Sequence, residues 1–119
     1  MSKGKPRHPK PKTEAEVHKW FATYFCGCGD VEAAMQTFME IMQWFERHDH
    51  EGGFTSFMVS LDKIKAFEVK HSTGLMILLL YLLNGTGLAE HGGSVYGCWL
   101  TGLGQTVKQF LEDNPDYTP

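Results

Sequence analysis

Leu75-Met76-Ile77-Leu78-Leu79-Leu80-Tyr81-Leu82-Leu83 is a run of nine apolar residues with no polar break. Leu and Met favour helix, and the β-branched residues that favour strands are nearly absent from it. Gly74 precedes the run, and Asn84-Gly85-Thr86-Gly87 supplies a helix stop. A helix apolar on every side is expected to be buried on every side. A bilayer span needs about 20 such residues, so this helix is too short to cross a membrane. The run is read as the central helix of a small domain, over about 72–84, with the remaining elements packed around it. On this reading Leu79→Asp buries an unpaired charge and unfolds the domain.

The 119 residues suit one domain, and 42% hydrophobic against 21% charged residues is ordinary globular composition. The first twelve residues are basic but no apolar stretch follows them, so no secretory leader is expected. Three cysteines make an odd count without a disulfide framework, and a cytoplasmic protein with free thiols is the expectation. The net charge of −3 conceals an asymmetry. Residues 1–12 hold Lys3, Lys5, Arg7, Lys10 and Lys12 and no acid; the remainder holds six basic residues against all fourteen acidic ones, a balance of −8. Three prolines and a glycine mark 1–12 as an extended, disordered basic arm. Its plainest role is solubility; the sharper one is contact with nucleic acid or an acidic partner surface through those five side chains. The acidic remainder argues against a nucleic-acid footprint spread over the fold.

Around the central run, the periodicity predicts four further helices in a domain spanning 13–113. Thr13 and Glu16 form a capping-box pattern, and Val17, Trp20, Phe21, Tyr24 and Phe25 share one helical face. Cys26-Gly27-Cys28-Gly29 breaks that helix. Asp30 caps a second, in which Val31, Ala34, Met35, Phe38, Ile41, Met42 and Phe45 recur at three and four residues. Met39 and Trp44 lie off this stripe, and the polar run Arg47–Gly53 closes the helix. Phe54, Phe57, Met58, Leu61, Ile64 and Phe67 read as a third amphipathic stripe. Leu88–Trp99, with Gly92-Gly93 at its middle, reads as a small β-hairpin. A last helix runs through Val107, Phe110 and Leu111, and 114–119 is a loose tail.

The order helix, Gly87-Leu88, hairpin, Leu100-Thr101-Gly102-Leu103-Gly104, helix resembles the C-terminal half of winged-helix domains. There a wing follows the recognition helix, and Leu-Thr-x-x-Gly opens the closing helix. The resemblance covers about thirty residues. It implies a mainly α, winged-helix-like fold and, in the usual case, nucleic-acid binding. The chain departs from that pattern in the element before the wing. Leu75–Leu83 offers no Arg, Lys, Asn or Gln to reach base edges or phosphates, so a fold of this kind would serve protein contacts instead. Glu90-His91-Gly92-Gly93-Ser94, Trp99-Leu100-Thr101 and Cys-Gly-Cys-Gly also resemble small phage and bacterial proteins of unassigned activity.

Three Cys and six His raise a zinc site, but the Cys-x₂₋₄-Cys spacing is missing. Cys26 and Cys28 precede the second helix while His48 and His50 follow it, roughly 27 Å away along an unbroken helix. A set of Cys26, Cys28 and Cys98 with His91 is available only if the fold gathers it; buried or idle thiols are the plainer reading. Cys28 sits just before a helix N-terminus, which favours a thiolate, although a small residue in a tight turn is the plainer reading. Glu90 and His91 beside two glycines form an acid–base pair in a loop, but no nucleotide-binding, nucleophile-elbow or metalloprotease motif accompanies them. Neither an enzyme nor a cofactor is expected.

The surplus of aromatics points to an exposed patch, the mark of a protein interface. Contacts are placed on the hairpin at Glu90, His91, Ser94, Tyr96 and Trp99, and at the end of the second helix at Trp44, Arg47 and His48. The resulting expectation is a non-enzymatic protein-binding or regulatory module, the likeness to phage proteins pointing to a phage-encoded inhibitor of a host or defence protein. A homodimer through such a patch is the milder version. A nucleic-acid-binding regulator using the basic arm, and a zinc- or thiol-dependent protein, are the alternatives.

Overall fold

The computed structural model describes residues 12–119, so Lys3, Lys5, Arg7 and Lys10 of the basic arm lie outside the described residues. Five helices and a four-stranded antiparallel sheet alternate along the chain. The order is α1 (Glu14–Tyr24), α2 (Val31–Met42), β1 (Phe45–Asp49), β2 (Thr55–Val59), α3 (Leu61–Lys70), α4 (Thr73–Gly85), β3 (Ala89–Glu90), β4 (Trp99–Leu100) and α5 (Gly102–Asp113). In the sheet the order is β1-β2-β4-β3. Among the described residues, no helix is long and apolar enough to cross a membrane.

The predicted caps form. Thr13 and Glu16 complete a capping box on α1, and the Asp30 carboxylate accepts from Ala33 N–H at the start of α2. Ser60, Ser72 and Thr101 cap α3, α4 and α5 in the same way. At its other end, α2 leaves carbonyls without helical partners. Lys108 of α5 donates to Met42 O at 3.2 Å and Lys63 of α3 donates to Gln43 O at 3.0 Å. Two cations thus meet the negative end of one helix dipole.

Two expectations fail between residues 45 and 61. The second helix stops at Met42, and Phe45 opens a strand instead of closing the helical stripe. The run Phe54–Met58 is not helical either: Thr55–Val59 pairs with Phe45–Asp49 in a hairpin, with Phe45 opposite Val59 and Arg47 opposite Phe57. Gly52 and Gly53, at φ +89° and +85°, make the turn that a residue with a Cβ resists. The strand signal was hidden because β1 buries only Phe45 and exposes Glu46 through Asp49, while Phe57, Leu61 and Ile64 mimic helical spacing.

The predicted hairpin at 88–99 is present but short. Ala89 pairs with Leu100 and Glu90 with Trp99, and a 3₁₀ turn at Val95–Gly97 occupies the connection. Its second strand also pairs with β2, Met58 facing Trp99, and this contact joins the two hairpins into one sheet.

Leu100-Thr101-Gly102-Leu103-Gly104 locks the sheet to α5. Thr101 N–H donates to Leu88 O at 2.9 Å, its hydroxyl donates to Gly87 O at 2.6 Å, and the same hydroxyl accepts from Gly104 N–H at 3.0 Å. Gly104 meets the Leu88 backbone so closely that a Cβ there would lie 2.0 Å from Leu88 O. The spacing from Thr to Gly is therefore a packing requirement of this fold.

An aromatic cluster joins α1 to α2. Trp20 stacks on Phe38 with centroids 5.2 Å apart, and Phe21 and Phe25 meet Phe38 edge-on. Trp20 Nε1–H donates to Thr86 O at 2.9 Å, tying this cluster to the end of α4. Residues 114–119, expected as a loose tail, instead bring Tyr117 back onto the domain. Its ring lies 4.9 Å from Phe110 and 5.2 Å from Phe21, and its hydroxyl pairs with His18 Nδ1 at 3.3 Å. Burial there raises the Tyr117 hydroxyl's pKa.

Full burial of the Leu75–Leu83 helix is overturned. α4 buries Met76, Leu80 and Leu83 only, whereas Leu75, Leu78, Tyr81 and Leu82 are 41–63% exposed. α3 and the sheet cover one side, and nothing in the chain's described residues covers the other. Leu79 is half-buried, so the fully buried Leu80 is the position at which a charge breaks the core.

Candidate functional site: an apolar groove beside α4

The exposed side of α4 adjoins a groove of about 590 Å³ running between α1, α2 and α4. Trp20, Tyr24 and Phe25 form one wall, Ala34, Phe38 and Ile41 the second, and Leu79, Leu82 and Leu83 the third. Thr37 and Thr86 are the polar residues on its lining, and no charged side chain takes part. Its origin is local. Ala33 and Ala34 line it with side chains of a single methyl, which leave space open between α2 and α4.

Groove and helix face form one apolar surface. Leu82 belongs to both, with Tyr24 on one rim and Leu78 and Leu75 continuing along the outside of α4. From Thr73 to Ala89 the chain carries no Lys, Arg, Asp or Glu. Asn84, the amide on this helix, donates Nδ2–H to Leu80 O at 2.8 Å and so is turned onto its own backbone. Such a surface can exclude water from apolar side chains, and the polar groups on it are the hydroxyls of Tyr24, Thr37 and Thr86.

The residues expected to meet a partner are separated by the fold. Trp44 and Trp99 are 3% and 6% exposed and belong to the interior. Trp44 packs edge-on against Phe67 at 4.9 Å, and Trp99 Nε1–H donates to Glu90 Oε1 at 2.9 Å across the strand pair. Arg47 and His48 lie exposed on β1, with Arg47 Nε–H bonded to Asp49 at 3.1 Å. Hydrogen bonds from Thr55 and Arg47, then the Arg47 charge, hold the Asp49 carboxyl below its ordinary pKa. Glu90 and His91 are at the β3 edge, the opposite side of the sheet from β1. Ser94 caps the 3₁₀ turn by accepting from Tyr96 N–H at 3.2 Å, and Tyr96 is half-buried. The β1 set and the hairpin set are therefore not one surface. His91 borders α4, its ring edge-on to Tyr81 at 6.1 Å and its Nδ1 beside Gly92 O.

The proposed thiol and metal residues are likewise dispersed. Cys26 and Cys28 are exposed on the α1–α2 turn, whereas Cys98 is buried beside β4. Among the described residues, no group of three or more His, Cys, Asp or Glu is placed to hold a metal ion, so Cys26, Cys28, Cys98 and His91 do not form one site. Burial pushes the Cys98 thiol up to about 12. Lys12 is the described member of the basic arm; its backbone N–H donates to Thr106 Oγ1 at 2.8 Å, which places the arm's root on α5.

A second concavity of about 400 Å³, between β1–β2 and α5, is mixed in character and holds both signs of charge: Arg47, Lys108 and Glu112 line it with Phe57 and Gln105. Gln105 Nε2 is buried there without a hydrogen-bond partner among the described residues.

The site on α4 was missed because a continuous apolar run does not say which of its sides is covered. The available signal was the spacing of Leu75, Leu78 and Leu82. No family model, curated protein or solved structure matches the chain.

Proposed function

We propose that this chain is a non-enzymatic protein-binding module that engages a partner polypeptide through the apolar groove and the outer face of α4. The observation that carries this reading is the continuity of exposed Leu75, Leu78, Leu82 and Tyr24 with a groove lined by Trp20, Phe38 and Leu79. Contiguous apolar surface of this kind is rare on monomers and common at interfaces. The chemistry that fits is the apolar face of another polypeptide, most simply an amphipathic helix laid along the groove. α3 and α4, joined through His71-Ser72 and followed by the β3–β4 pair, support a winged-helix-like reading. In such an arrangement α4 occupies the place of the reading helix with leucines where nucleic acid requires polar side chains.

The test is an affinity capture from lysate with two baits, wild type and the double variant Leu78→Asp, Leu82→Asp, with nuclease treatment at low and moderate salt. A protein captured in stoichiometric amount by the wild type and lost by the variant is the expected result. Capture of nucleic acid alone, or of proteins that the variant retains, overturns the reading.

A further inference from the structure

We infer that the outer row of α4 is the contact surface for a second copy of this chain, forming a symmetric dimer by antiparallel packing of the two α4 helices. The inference deepens the protein-binding reading, on which it rests, by naming the occupant of the outer face.

The row is nearly palindromic. Leu75, Leu78 and Leu82 are separated by three and then four residues. A copy running antiparallel with the two-fold axis between Leu78 and Leu79 therefore sets Leu75 against Leu82 of the second copy and leaves the two Leu78 side chains offset by one helical rise, about 1.5 Å. A two-fold interface demands such self-complementarity, because each residue must suit a partner drawn from the same patch. Interleaved leucines at this spacing also satisfy ridge-into-groove packing of two helices. Gly74 and Gly85 lie exposed on the same helix, and a Cβ at either would meet no atom within 4 Å, so the backbone there is open to close approach.

Area and charge agree with this occupant. Leu75, Leu78, Tyr81, Leu82 and Tyr24 each expose about half their surface. At on the order of 100 Å² each they supply ~500 Å² per copy, or ~1,000 Å² for the pair, where specific interfaces begin. No residue from 73 to 89 is charged, so two copies meet without repulsion at the contact. The chain's own segment outside the described residues is a poor cover. Residues 1–11 carry four basic side chains and no Leu, Ile, Val or aromatic, and burying those charges against leucine is unfavourable. The acidic body, by contrast, repels its copy at longer range, where salt screens it. Association of this kind strengthens from low to moderate salt.

Sedimentation equilibrium of the full chain tests the inference. The wild-type mass should rise with concentration from 13.4 kDa toward twice that value, and more readily at moderate salt. Leu78→Asp, present twice in each dimer, should raise the dissociation constant by about 100-fold or more, with an unchanged circular dichroism spectrum. Val69→Asp, at a site 90% exposed on α3 and off the row, should leave it unchanged. A second variant reads the geometry directly. In a Cys26→Ser, Cys28→Ser background, Leu78→Cys should form a disulfide-linked dimer on mild oxidation, and Val69→Cys should not. A wild type that stays at 13.4 kDa at every concentration overturns the dimer, as does one indifferent to Leu78→Asp or a Leu78→Cys that fails to cross-link. A monomeric chain whose α4 variants still lose a captured protein sinks the dimer alone; a dimer that captures nothing sinks the second-protein reading alone.

Discussion

α2 and α4 are helices of nearly equal length, and each buries one stripe, four residues on α2 and three on α4. α2 buries Met35, Phe38, Ile41 and Met42 and turns Glu32, Gln36 and Glu40 outward. α4 buries Met76, Leu80 and Leu83 but turns Leu75, Leu78 and Leu82 outward. The core takes one stripe from each helix and leaves the opposite side of both outside it. The outer leucines of α4 are thus surplus to the fold, and a surplus of apolar surface is what a docking partner uses.

If this contrast is right, opposite faces of α4 respond differently to the same substitution. Leu80→Asp puts an unpaired charge among fully buried side chains and should cost more than about 4 kcal/mol, leaving no cooperative melt. Leu78→Asp, measured in dilute protein where association is negligible, should change stability by no more than ~0.5 kcal/mol. A cooperative melt near wild type for Leu80→Asp would dissolve the distinction between the faces.

Next in size is the lock between the sheet and α5. Gly104→Ala drives a methyl into the Leu88 carbonyl, and denaturant unfolding should show a loss of about 2–4 kcal/mol. Thr101→Ala removes a helix cap and the bond to Gly87 O, for a smaller loss of about 1–2 kcal/mol. Neither substitution touches the outer face of α4, so both should spare binding by the fraction that remains folded.

Cysteine reactivity draws the same line between covered and uncovered surface. Ellman titration of native protein should count two thiols promptly, Cys26 and Cys28, and the third only after unfolding, because Cys98 is buried. The folded-state pKa of Cys98 is raised to about 12 from an ordinary 9.0. Its contribution is therefore complete below pH 9 and is lost as pH rises toward 12, since the unfolded chain releases the proton first. Over that window wild type should lose up to ~1.4 kcal/mol per pH unit relative to Cys98→Ala, measured by denaturant titration. Parallel pH profiles for the two proteins would count against burial of that thiol.

Much of the fold was legible because its signals are local. Thr13 with Glu16, Asp30, and the Gly stops around α4 act on neighbouring backbone groups, so spacing alone announces them. The β1–β2 hairpin was not legible. Pairing of Phe45 with Val59 joins a strand exposed along nearly its whole length to one whose Phe57 and Met58 also suit a helix. Only a partner strand decides between those states. The same holds for the candidate site. Aromatic surplus suggested an exposed patch, and Trp44 and Trp99 were the natural choices, yet both are in the interior because a strand and a helix close over them.

What the sequence by itself determined is the mainly helical class, five helices with the caps of the first two, and an uncharged apolar α4 preceding a short hairpin. These follow from propensity, periodicity and capping, which are properties of a few adjacent residues. What only the tertiary structure decided is the four-stranded sheet, the return of Tyr117 onto α1 and α5, and which half of α4 faces the core. Each depends on segments distant in the chain competing for the same surface: α3 and the sheet cover Met76 and Leu80, and no remaining described segment reaches Leu78 and Leu82.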